Sequence, residues 1–147
     1  MTFLIFLAAC AAAGATGVLF QPGDWYLRQK RPSFTPPNWV FPVVWTTLYI
    51  LMAWAAARLA ALPGSGTALA LWSLQIALNT LWTPVFFGAH RKGAGMAIIA
   101  LLWLTVALLL LAAFRLDLIG LLLTPYIVWL SIAAALNWRV WRDNPGA

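Results

Sequence analysis

The sequence predicts an all-α membrane protein, a five-transmembrane-helix bundle forming one domain over 1–147, and three observations predict it. Of the 147 residues, 64% are hydrophobic and 8% charged, with mean hydropathy +0.89, outside the soluble globular class. The apolar runs are long and do not alternate, so they read as spanning helices of roughly 20 residues and not as barrel strands of roughly 10. Short Gly- and Pro-rich breaks separate them.

The first helix is predicted at 2–20. Its "LAAC" (7–10) looks like a cleavage box, but Met1 to Phe6 carry no basic n-region, so the segment reads as a retained span. Ala8, Ala12 and Thr16, with Ala13 and Gly17 adjacent, make a small-residue face that suits packing within the bundle and dimerisation equally. Cys10 is the single cysteine; it reads as a packing residue and excludes an intramolecular disulfide.

The one long link, "QPGDWYLRQKRPSFTPPN" (21–38), holds four of the nine prolines. Its Pro36-Pro37 pair predicts an extended entry into the second helix, 39–61, where Trp45 and Tyr49 lie four apart. After "LPGSGT" (62–67), the third helix, 67–88, puts Gln75, Asn79, Trp82 and Phe86 on one face at i, i+4, i+7 and i+11. Hydrocarbon cannot satisfy the two amides, so this face turns toward protein or a cavity. Helix glue and a ligand wall both fit it. "AHRKGAG" (89–95) leads into the fourth helix, 94–114, and Asp117 is the expected N-cap of the fifth, 118–141. There Trp129, Ala133 and Leu136 set a ring above two smaller side chains, leaving room for something flat. Pro42, Pro84 and Pro125 are each expected to bend a span, which favours a pocket over a close-packed rod. No repeat of equal halves is visible, against an inverted-repeat transporter.

The net charge of +6 is unevenly placed. Arg28, Lys30, Arg31, Arg91, Lys92, Arg139 and Arg142 fall on one side of five spans, Arg58 and Arg115 on the other. For a plasma-membrane-type bilayer the first loop, third loop and C-terminus are then cytoplasmic and the N-terminus outside. The cations form no groove, which argues against nucleic acid. One His and one Cys cannot build a metal site, and His90 reads as a solvated loop residue beside Arg91. Asp24, Asp117 and Asp143 are the only acids, too few and too dispersed for acid/base hydrolysis or a proton-coupled pump. Ten tryptophans remain. Trp25, Trp39, Trp138 and Trp141 read as an interfacial belt, whereas Trp45, Trp82 and Trp129 lie inside spans.

The segments "WYLRQKRPSFTPPNWVFPVVWTTLYILMAWAA" (25–56), "QIALNTLWTPVFFG" (75–88) and "PYIVWLSIAAALNWRVWRDN" (125–144) resemble the tryptophan-rich sensory protein / translocator protein family (TspO/MBR, peripheral-type benzodiazepine receptor), in its bacterial form. The resemblance implies five helices around a ligand pocket, with the long first loop as a lid. It implies a multi-pass receptor or sensor of the bacterial envelope that binds protoporphyrin IX-type tetrapyrroles and benzodiazepine-site ligands and regulates tetrapyrrole metabolism or stress responses. Light-dependent porphyrin degradation and passive porphyrin or lipid transport are the alternatives. Carried over by motif, the ligand residues are Trp45, Tyr49, Asn79, Trp82, Phe86, Trp129, Ala133 and Leu136; Trp45 and Trp129 match the positions tied to porphyrin breakdown. The lid comprises Trp25, Tyr26, Arg28, Lys30, Arg31, Phe34, Pro36, Pro37 and Trp39, its three cations offered to the porphyrin propionates. No cofactor is required, porphyrin being ligand or substrate; membrane lipid and a second copy are the other implied partners. Phe34 stands where the family usually has tryptophan and donates no N–H. Trp138 replaces the tyrosine of the animal cholesterol motif, so cholesterol binding is not expected.

Overall fold

Runs rich in Ala and Leu favour helix, and inside a bilayer each backbone N–H must bond within its own segment. The computed structural model describes residues 2–19, 24–37 and 39–144, with side chains at all of these except 17, 18 and 24, and it contains helices and no strand among them. Residue 20 of the first predicted helix, residues 21–23 and 38 of the long link and the Gly17 position of the small face lie outside that description. The helices are α1 (Thr2–Leu19), a short α2 (Asp24–Arg28), α3 (Val40–Ala60), α4 (Gly66–Thr83), α5 (Lys92–Leu116) and α6 (Gly120–Asp143). Three of them, α3, α5 and α6, are long and apolar enough to cross a membrane. On these spans the chain is an integral membrane protein.

Neighbours in the bundle close a ring: α1 packs on α3, α3 on α6, α6 on α5, α5 on α4, and α4 back on α1. On α5, Ile99, Leu102, Val106, Leu109 and Ala113 are buried, while Leu101, Leu104, Leu108 and Leu111 are exposed. Both faces are apolar because one meets protein and the other lipid, so a helical stripe of polarity is absent. The close approach of α1 to α3 is made at Cys10, Ala13 and Gly14: the first two are buried, and a Cβ on Gly14 would meet the Tyr49 ring at 3.2 Å. Ala8 and Ala12 of the predicted small face are exposed.

The three prolines behave differently. Pro42 sits in the first turn of α3, where its missing N–H costs nothing. Pro125 lies inside α6, which continues through it. Only Pro84 changes the winding: α4 stops at Thr83 and Pro84–Gly88 form a π-helical turn, closed by the Ala89 N–H donating to the Pro84 carbonyl at 2.8 Å. The predicted single helix over 67–88 is thus an α-helix extended by one wider turn. His90 follows with φ of 58°, a left-handed conformation uncommon outside glycine.

Asp117 does not cap the fifth long helix. It ends α5 in an extended conformation, its carboxylate accepts the Leu118 N–H at 2.7 Å and lies 3.8 Å from the Arg58 guanidinium, and α6 starts at Gly120 after Ile119. A short polar side chain beside a free N–H bonds locally in a turn as readily as across a helix end.

Candidate ligand-binding site

Within the ring, α4 and α6 make few close backbone approaches, and side chains bridge them instead. At mid-bundle the Tyr49 hydroxyl donates to Asn79 Oδ1 at 3.0 Å, Asn79 Nδ2 donates to the Tyr126 oxygen at 2.8 Å, and the Tyr126 hydroxyl donates to Gln75 Oε1 at 2.7 Å. This relay joins α3, α4 and α6. Gln75, Asn79 and Tyr126 are buried, as amides at membrane depth must be. Trp45 lies against the relay: its ring is 5.7 Å from Tyr49, 6.3 Å edge-on from Tyr126 and 6.3 Å at right angles to Trp129. Phe41 meets Trp129 edge-on at 5.6 Å. Ala133 and Leu136 continue that face of α6 and are buried. Two donors in this layer, Trp129 Nε1 and Gln75 Nε2, are buried without a partner.

Trp82 and Phe86 belong to a second layer, nearer the 89–91 turn. Their rings stack at 5.3 Å, and Trp82 Nε1 donates to Asn137 Oδ1 of α6 at 2.9 Å. Asn137 Nδ2 donates in turn to the Lys92 carbonyl at 2.9 Å. Gly95 leaves room for this joint, since a Cβ there would stand 3.0 Å from Asn137 Oδ1 and 3.3 Å from Phe86. The single wall predicted on α4 is therefore divided, Asn79 serving one layer and Trp82 with Phe86 the other. The π turn brings Phe87 to this layer as well, 5.7 Å from Trp82.

The segment after α1 lies on the second layer. Tyr26 is buried with its ring 5.2 Å from Phe87 and 6.4 Å from Phe86. Trp25 meets Phe86 edge-on at 5.7 Å and stacks on His90 at 4.2 Å, the planes 2° apart. His90 is exposed in its loop, as predicted, and it also caps the Trp25 ring. Asn144 fixes the segment from the far end of the chain: its Oδ1 accepts the Lys30 N–H at 2.8 Å and its Nδ2 donates to the Lys30 carbonyl at 2.9 Å. Lys92, buried at the start of α5, donates from Nζ to Gln29 Oε1 at 3.4 Å and to the Asn144 carbonyl.

Of the other predicted lid residues, Arg28, Lys30, Arg31, Phe34, Pro37 and Trp39 are exposed and Pro36 is half-buried. Arg31 lies over the Tyr26 ring at 5.1 Å. Burial pushes the Tyr26 hydroxyl above its usual range and Arg31 draws it partly back. An open groove of about 500 Å³ on the outer face of α1 and α3 is lined by Phe3, Ile50, Trp54, Ala57, Arg58 and Ala61; none of the predicted ligand residues borders it.

Sequence reasoning missed Tyr126 and Asn137 as parts of the site. The signal was present: 126, 129, 133, 137 and 140 share a helical face, and that face is buried.

The family model described as the TspO/MBR family matches residues 6–142. Protein CrtK of Rhodobacter capsulatus is 51% identical over 149 residues, covering 98% of this chain and 93% of its own. The tryptophan-rich sensory protein of Cereibacter sphaeroides is 49% identical, covering 97% and 90%. The translocator protein of Homo sapiens is 37% identical over 128 residues, covering 83% and 76%.

Proposed function

We propose a function for a chain that belongs to the TspO/MBR family of membrane sensory and translocator proteins: it binds a flat tetrapyrrole of the protoporphyrin IX type between α4 and α6 and acts as a receptor that regulates tetrapyrrole metabolism or a stress response. Synthetic benzodiazepine-site ligands would enter the same space. In this reading all five long helices span a bacterial envelope membrane and the segment after α1 is a lid.

One observation carries the proposal. Between α4 and α6 the side chains of Gln75, Asn79 and Tyr126 form a hydrogen-bonded relay, with the rings of Trp45 and Tyr49 of α3 and Trp129 of α6 against it, where a bundle built only for packing would bring two backbones together over small residues. Rotation of Trp45 and Tyr126 exposes ring faces for stacking, and the amides of Gln75 and Asn79 then orient polar edges of the guest. The orphan N–H groups of Trp129 and Gln75 supply two further donors.

The test is titration of the detergent-purified protein with protoporphyrin IX in the dark, followed by tryptophan quenching. Wild type is expected to saturate, and the Asn79→Ala/Trp45→Phe variant to bind at least about 10-fold more weakly. Linear quenching that is the same in both would return the rings to a packing role.

A second reading, light-dependent porphyrin degradation, is favoured by the contiguous oxidisable rings of Trp45, Trp129, Tyr49 and Tyr126. The excited porphyrin and dioxygen would carry the chemistry, and the protein would hold the ring beside Trp45. Trp45→Phe/Trp129→Phe should keep dark binding and stop bleaching; undiminished bleaching would reject a role for these residues. Homodimerisation is proposed through the outward Ala8 and Ala12 of α1. Absence of a disulfide-linked dimer in an Ala12→Cys variant would count against that face.

A further inference from the structure

The cations that the sequence offers to a carboxylate ligand, Arg28, Lys30 and Arg31, are all exposed. The cation beneath the lid segment is Lys92, only 6% exposed. Its ammonium donates to two neutral oxygens, Gln29 Oε1 and the Asn144 carbonyl. Three ion pairs exist among the described residues, Arg58–Asp117, Arg139–Asp143 and Arg142–Asp143, and Lys92 is in none of them. An ammonium has three donors; among the described residues the acceptors of Lys92 are neutral, and burying a charge against neutral acceptors is costly. Gly, Met or Leu at this position would start α5 without that cost.

Lys92 also adjoins the second aromatic layer. Its carbonyl holds Asn137, whose Oδ1 receives the Trp82 indole N–H, and the next turn of α5 carries Gly95 against Phe86. A tetrapyrrole held between α4 and α6 as proposed above would turn one edge toward this second layer and the start of α5.

We infer that Lys92 is a specificity-determining residue, the buried cation that receives a carboxylate of the ligand and makes the site select acidic tetrapyrroles over neutral ones. The inference rests on the tetrapyrrole reading above and names the chemical class within it. The incoming carboxylate takes the place of Gln29 or Asn144 on Nζ, and a charge-assisted hydrogen bond replaces one to a neutral acceptor. Binding is thereby coupled to the grip on the lid, because Gln29 and Asn144 are the residues that fasten it.

The experiment measures dark affinities for protoporphyrin IX and for its dimethyl ester with wild type, Lys92→Met and Lys92→Arg. Wild type is expected to prefer the diacid by about 10-fold or more. Lys92→Met should abolish the preference by weakening the diacid alone, and Lys92→Arg should keep it. If Lys92→Met weakens both ligands alike, the residue only fastens the lid and the inference is overturned; a preference that survives in Lys92→Met overturns it as well. A wild type that saturates with neither ligand removes the tetrapyrrole reading and this inference together, whereas binding of both with an unresponsive ratio removes this inference only. Lys92→Gln, which keeps donors to Gln29 and Asn144, reads the same contrast should the methionine variant not fold.

Discussion

Tyr126 has the largest share of the mid-bundle relay, since its hydroxyl accepts from Asn79 and donates to Gln75. Tyr126→Phe leaves two buried amides short of a partner and should destabilise the protein by about 1–3 kcal/mol. Tyr49→Phe removes only one bond, at a half-buried ring, and should cost about 0.6 kcal/mol, the usual size of an interhelical hydrogen bond in a membrane. Unfolding by denaturing detergent titration reads both, and equal losses would contradict the ranking. At this scale the sequence was legible where polarity is anomalous: amides at Gln75 and Asn79 stand out in an oily helix. At Tyr126 it was easily passed over: the residue shares a helical face with Trp129 and Ala133, but a tyrosine among apolar neighbours reads as readily as belt or packing. Lys92 was hidden for the opposite reason. A lysine beside an arginine in a Gly-rich break looks solvated, and the partners of its ammonium, Gln29 and Asn144, lie 63 and 52 residues away.

Between α4 and α5 the decisive element is the π turn at Pro84–Gly88. Pro84→Ala restores the missing N–H and permits ordinary α winding, which would rotate Phe86 and Phe87 away from Trp82. The expected result is a changed near-ultraviolet circular dichroism spectrum with far-ultraviolet helicity retained; an unchanged aromatic spectrum would show that the turn is held by tertiary packing and not by proline. The segment after α1 is an element tied to the far end of the chain by Asn144. Asn144→Ala removes the two bonds to Lys30 and one to Val140, so hydrogen exchange over 25–31 should accelerate while α3 and α5 keep their protection. Equal exchange in the variant would mean that Trp25 and Tyr26 hold the segment without the clamp. Helical runs were readable from hydropathy, yet the winding at Pro84, the continuation of α6 through Pro125 and the turn at Asp117 were not. Each depends on which carbonyls and N–H groups find partners across the bundle, and a linear pattern does not contain that.

For the whole molecule, the contacts of Lys30 with Asn144 and Lys92 with Gln29 gather the first loop, the third loop and the C-terminal end at one pole, and Arg58 with Asp117 marks the other. The charge asymmetry read from the sequence coincides with that polarity. A C-terminal fluorescent-protein fusion in a bacterial inner membrane should therefore fluoresce and an alkaline phosphatase fusion should be inactive; the reverse pair would invert the orientation. The ring order α1, α3, α6, α5, α4 also sets a schedule for biosynthesis. The partners of Asn79, Gln75 and Trp82 on α6 lie 47, 51 and 55 residues further along the chain. At a synthesis rate of about 5–20 residues per second, α4 leaves the ribosome some seconds before those partners exist. During that interval Asn79 Nδ2 and Trp82 Nε1 lack their acceptors and Gln75 Oε1 lacks its donor, so a nascent chain stalled after α5 carries uncovered polar groups in the lipid, a mark by which an insertion chaperone or membrane protease can tell an unfinished molecule from a finished one.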